Sequence, residues 1–306
     1  MSTCQSPPRG ARARRPTLLI VGCGDIGLRV LRQLAGRWRV VALTPSAARR
    51  AELRAAGALP LVGDLDRPAT IARLGGLADV VLHLAPPPSQ GTSDARTRTL
   101  LRALARFGRV RRLVYASTSG VYGDCAGELV VETRAPNPGT DRARRRMDAE
   151  RLVRWFGAAF AVKVTVLRVP GIYAPDRLGG DPRDRIRRGV PALTPEHDVY
   201  TNHVHADDLA RACIAALMRG PTQRAIHVND DSRARLGDYL DRVADLSGLP
   251  RVRRVTREQA ARELPAVQMS FLSESRRLDN TRMKRELRLR LRYPSVDDAL
   301  RLPGLA

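Results

Sequence analysis

The stretch Leu18–Leu34, LLIVGCGDIGLRVLRQL, decides how the rest of the chain is read. A short apolar run suited to a buried strand leads into Gly22-x-Gly24-x-x-Gly27, and an amphipathic run with helical spacing follows. Glycines so placed permit a tight strand-to-helix turn and let a pyrophosphate approach the backbone, its charge resting on the helix N-terminus. The spacing alone is a weak signal, and a glycine-rich turn without a ligand is the plainer alternative. With a strand before it and a helix behind it, the turn is expected to hold a dinucleotide through Gly22, Gly24, Asp25, Ile26 and Gly27. Cys23, inside the turn, reads as a packed thiol rather than a redox switch.

Working outward, further strand-like runs fall at Val40–Leu43, Leu59–Val62, Val80–Leu84, Arg112–Ala116 and Val162–Leu167, with amphipathic segments between them. That alternation predicts an α/β fold, a Rossmann-type doubly wound parallel sheet over residues 17–170. Beyond Pro170 the sequence is loop-like to about residue 200. A helix is expected near Asp207-Asp208, a strand at Ala225–Val228 and a helix around Arg235–Leu246, with an arginine-rich helical remainder. Residues 201–230 are thus expected to return to the sheet, while 171–200 and 231–306 build a smaller C-terminal substrate lobe. Residues 1–16 read as a flexible basic tail.

The second strand ends in Thr44-Pro45-Ser46, and no carboxylate stands between Val40 and Arg50 to bind ribose hydroxyls. Arg49 and Arg50 are placed to face a 2′-phosphate, which favours NADP over NAD; NAD stays open, since both arginines also suit a solvated helix. Asp64, followed by Leu65, is placed to accept a hydrogen bond from an adenine amino group. Leu84, Ala85 and Pro86 of HLAPPP (His83–Pro88) would pass beneath the nucleotide.

The formal charge is +23, yet only two of the 54 basic residues are lysines, Lys163 and Lys284. Arginine spread along the chain without an aromatic stacking platform reads as incidental surface charge, so no specific nucleic-acid partner is expected. Four cysteines without CxxC spacing suit a reducing compartment. The apolar run behind Arg14-Arg15 is too short for a signal, and none approaches the roughly 18 residues of a membrane helix. A cytoplasmic protein with no membrane partner is expected. His203 and His205 in NHVH lack a third ligand at convincing spacing, so no metal is expected.

YASTSGVYGD (Tyr115–Asp124), LRVPGIYAP (Leu167–Pro175) and YTNHVHADDLARA (Tyr200–Ala212), in that order behind the glycine turn, resemble the extended short-chain dehydrogenase/reductases, the NAD-dependent epimerase/dehydratase family. The likeness covers roughly residues 17 to 300 and implies an NAD(P)-dependent oxidoreductase or epimerase/dehydratase-like enzyme on a small polar or nucleotide-linked substrate. It implies that Thr118 polarises the substrate oxygen, that Ser117 and Pro170 lie beside the cofactor, and that helices around 93–107 and 141–156 pair in a homodimer. Tyr122 belongs to a structural turn in that family and is a lesser candidate acid.

The family's Tyr-x-x-x-Lys pair is missing. Aligned on Glu150, PNPGTDRARRRMDAE (Pro136–Glu150) has Arg142 at the tyrosine position and Arg146 at the lysine position. Arginine, with a pKa above about 12, cannot shuttle a proton near neutral pH. Arg146 can still anchor the nicotinamide ribose. Departures of this kind resemble atypical members that carry NPxT here, as Asn137-Pro138-Gly139-Thr140 does. Arg142, Arg144 and Arg276 are candidate anion contacts, with Tyr173 and His203 bordering the substrate. Two other readings stay open: a solvated helix face balanced by Asp141, Asp148 and Glu150, and a non-catalytic NADP-binding redox sensor.

Overall fold

Seven strands form one parallel sheet: β1 (Thr17–Val21), β2 (Arg39–Thr44), β3 (Leu59–Val62), β4 (Val80–His83), β5 (Arg112–Thr118), β6 (Lys163–Val169) and β7 (Arg224–His227). Their order is β7-β6-β5-β4-β1-β2-β3, so the order reverses beside β1, which pairs with β2 through Val21↔Leu43 and with β4 through Val21↔His83. The computed structural model describes residues 16–34, 36 and 38–301; the basic tail expected over 1–16 lies, Pro16 apart, outside them.

Burial on both faces explains the unbroken apolar runs. Leu18 and Ile20 of β1 face one core with helices α1 (Asp25–Leu34) and Ala206–Arg219, while Leu19 and Val21 face a second core with Ala95–Ala105 and Asp141–Ala159. Helix starts are locally encoded. Thr140 caps Asp141–Ala159 by accepting from Ala143 N at 3.2 Å, which is the work of the threonine in the NPGT segment. His205 caps Ala206–Arg219 by accepting from Asp207 N.

A third core gathers Tyr173, Ile186, Leu193 and Val199 with Leu236, Tyr239, Val255, Leu272 and Val296. The C-terminal region also holds short strands, Arg254–Val255 and Arg277–Leu278, and its Met283, Leu287 and Leu289 pack into the sheet-side core. No helix among the described residues is long and apolar enough to cross a membrane.

Candidate functional site

The ends of the strands converge on one edge of the sheet. Gly22 has φ of +82°, and a Cβ there would lie 2.5 Å from Ala85 Cα, so the turn after β1 tolerates only glycine. Around Gly24, by contrast, a Cβ would meet nothing within 4 Å: the open space is on the side from which a pyrophosphate would approach. Burial pushes the Cys23 thiol up to about 11, leaving it inert at neutral pH.

Asp25 is a carboxylate at the helix start, where it would repel a pyrophosphate unless balanced. Arg29, buried, bonds Asp25 at 2.9 Å and Asp176 and Asp207 at 2.7 Å each, while Arg177 bonds Asp25 at 3.0 Å. These pairs neutralise Asp25 and tie the segment after β6 to α1.

A cleft of about 360 Å³ runs over this turn, lined by Gly22, Gly24, Asp25, Ile26, Gly27, Thr44, Arg49, Leu84, Pro86, Ser117, Arg146 and Arg177. A side slot of about 210 Å³ continues it past Asp64, Leu65, Ala85 and Pro86 to Arg96. The residues fit a dinucleotide: glycine backbone for the pyrophosphate, an apolar slot with a carboxylate for a base, and cations at both ends. Arg49 donates to the Cys23 carbonyl at 2.7 Å and to Glu52 at 2.8 Å, whereas Arg50 is exposed and lines neither cavity. Arg146 donates to the Ala116 carbonyl at 2.8 Å and the Tyr115 hydroxyl at 3.1 Å, which fixes its guanidinium at the cleft wall.

A second cavity of about 450 Å³ adjoins the first. Thr118, Pro170 and Gly171 line it, while their chain neighbours Ser117, Val169 and Ile172 line the first, so the ends of β5 and β6 form a shared wall. Pro170, read as a cofactor contact, thus lines the second cavity. Thr118 Oγ1 accepts from Gly120 N at 3.2 Å, which leaves the hydroxyl proton free for a ligand.

The second cavity also holds Arg142, Arg276 and His203. His203 stacks on Tyr239 with centroids 3.9 Å apart; burial pushes its pKa down to about 4, so the ring is neutral, and its Nδ1 has no partner among the described residues. Arg276 donates to Glu274 at 2.8 Å and to the Gly123 carbonyl at 2.7 Å.

Other sequence candidates lie elsewhere. Arg144 points outward and pairs with Asp141 at 2.7 Å. Tyr173 is buried and donates to the Ser295 carbonyl. Tyr122 is buried in a chain in which Arg168 donates to its hydroxyl at 2.6 Å, the hydroxyl reaches His227 Nε2 at 2.6 Å, and His227 Nδ1 bonds the Asp279 carbonyl. Burial pushes the phenol up to about 12 and the imidazole down to about 3. This tyrosine is a packed cross-link that lines neither cavity.

Glu150, read as balancing a solvated face, is fully buried against Arg168 at 2.8 Å. The arginine run is therefore split by helical phase: Arg142 and Arg146, four residues apart, share the cavity side, Arg145 reaches the Gly91 carbonyl, and Arg144 faces out. Sequence reasoning missed Arg96, Arg177, Arg185, Asn202, Phe271 and Glu274. In a chain with so many arginines, the identity of any one carries little signal, and the loop at 171–200 has no periodicity to place them.

Comparison with known proteins bears on this arrangement. The model of a family described as "NAD dependent epimerase/dehydratase family" matches residues 18–229. A 4-hydroxy-2-methyl-3-oxo-4-farnesyl-3,4-dihydroquinoline-1-oxide ketoreductase from Stigmatella aurantiaca is 27% identical over 248 residues, 76% of this chain and 73% of its own. A functionally unknown conserved protein from Silicibacter pomeroyi DSS shares 30% identity at a TM-score of 0.79, covering 93% of this chain and 96% of that one. UDP-glucuronic acid 4-epimerase from Bacillus cereus, solved in complex with NAD, shares the fold at a TM-score of 0.73 and 19% identity, over 93% of this chain and 96% of its own.

Proposed function

This chain belongs to the NAD-dependent epimerase/dehydratase family, and from that premise we propose that it binds NADP(H) and reduces the carbonyl group of a small polar substrate held in the second cavity. The observation that carries the reading is the shared wall, where Thr118, whose hydroxyl oxygen accepts from Gly120 N, lines the second cavity one residue from Ser117 in the cleft.

NADPH, when bound, supplies the hydride that the carbonyl carbon accepts. Thr118 donates a hydrogen bond to the carbonyl oxygen and stabilises the charge that develops there. Arg146, pinned by Ala116 and Tyr115, orients the nicotinamide ribose. The oxygen takes its proton from solvent, because Arg142 at the tyrosine position cannot release one. This asymmetry favours reduction over epimerisation: protonating an alkoxide needs only water, whereas withdrawing a proton from an alcohol needs a base, and among the described residues lining the cavity Glu274 is held by Arg276 and burial makes the His203 imidazole a weak base.

Thermal-shift titration with NADPH and NADH tests the cofactor, since a ligand selective for the folded state adds about 2.7 kcal/mol at a hundredfold excess over Kd. NADPH is expected to stabilise more than NADH, and absence of any shift at millimolar nucleotide overturns the reading. Arg49→Ala is expected to weaken NADPH binding about tenfold while leaving NADH little changed, because one charge-assisted phosphate contact is lost. Equal loss for both nucleotides would remove Arg49 as the 2′-phosphate contact.

A further inference from the structure

The second cavity is unbalanced in charge. Arg142, Arg185 and Arg276 line it with a single carboxylate, Glu274, which Arg276 already engages at 2.8 Å. Arg142 has no carboxylate partner among the described residues; its guanidinium lies 4.3 Å over the Phe271 ring, near the cavity rim. Arg185 uses Nη2 on the Pro191 carbonyl at 3.1 Å, and its Nε has no partner among the described residues.

Two fully buried arginines in this fold are matched by carboxylates, whereas Arg112, Arg145 and Arg154, like Arg185, donate to backbone carbonyls. Arg29 meets three carboxylates, and Arg168 grips Glu150 with a bidentate fork. Withdrawal from water pushes the Arg185 pKa down, and that of Arg142 as well although its side chain is exposed at the cavity rim. A concave wall carrying like charges focuses the field on the space between them and draws an anion in.

Resting on the reductase reading above, we infer that the substrate is an anionic carbonyl compound whose carboxylate or phosphate group is drawn into this arginine-lined cavity while its carbonyl meets Thr118. Arg142 then replaces a proton relay with a fixed positive charge. A planar, permanently charged fork binds a carboxylate or a phosphate more tightly than an uncharged group of the same shape.

Calorimetric titration of the NADPH-loaded full chain tests this with three probes: malonate, inorganic phosphate and uncharged malonamide. Malonate or phosphate is expected to bind and malonamide not to, the tighter of the two anions identifying the substrate's charged group. Arg142→Gln and Arg185→Gln are each expected to weaken that binding by about tenfold or more, with NADPH affinity unchanged. If NADPH binds but neither anion does, if malonamide binds as well as malonate, or if both variants keep full anion binding, this inference falls and the reductase reading stands. If NADPH itself does not bind, the reading beneath it falls instead.

Discussion

Glu150→Gln is expected to destabilise the fold by about 3–5 kcal/mol, the usual cost of removing one partner from a buried ion pair. Glu150 has no exposed surface and Arg168 almost none. Its carboxylate accepts from Arg168 Nε at 3.1 Å, Arg168 Nη2 at 2.8 Å and Ser117 Oγ at 2.6 Å. Arg168 also donates to Tyr122, which continues through His227 to the Asp279 carbonyl. One neutral glutamine cannot face two guanidinium donors and a hydroxyl without leaving a buried cation uncompensated. Strand β5, helix Asp141–Ala159, strand β6 and strand β7 are joined through this network, so its loss is felt across the sheet.

Urea unfolding at constant slope measures the change. A loss below about 1 kcal/mol would show that the pair contributes no more than a surface contact. The double substitution Glu150→Leu with Arg168→Met is expected to recover much of the loss, since apolar replacement of a buried pair is often near neutral.

Thr118→Val is expected to lower kcat/KM for the reduced carbonyl by about 10²–10³, the range seen when one donor to a developing oxyanion is removed. NADPH affinity should be unchanged, because Thr118 lines the second cavity and not the cleft over the glycine turn. The same hydroxyl oxygen caps the turn Ser119–Tyr122 by accepting from Gly120 N, so valine also loses a cap worth about 0.5–2 kcal/mol of stability. Thr118→Ser separates the two effects, because it keeps both the cap and the donor and should retain most of the activity. Thr118→Val with undiminished turnover would remove Thr118 from the reaction; serine failing as badly as valine would point to the lost methyl rather than the hydroxyl.

How far the sequence reached is clearest in the arginines of Asp141–Ala159. Alignment on Glu150 put Arg142 and Arg146 at the resembled family's tyrosine and lysine positions, and the structure puts both on cavity walls. That alignment could not show that Glu150 is buried, because burial depends on Ser117 and Arg168 arriving from other strands. Tyr122, read first as a structural residue and second as an acid, is packed in the core next to a turn at Gly123 with φ of 64°.

The sequence by itself determined the parallel sheet and the glycine turn, because both are written in local signals: apolar runs buried on two faces, and residues whose backbone freedom the turn demands. Only the tertiary structure decided which arginines share a cavity with fewer carboxylates than cations. Arg142, Arg185 and Arg276 come from a long helix, a short helical turn and a loop far apart in the chain. An electrostatic imbalance is a sum over neighbours in space, and no stretch of sequence contains its own neighbours.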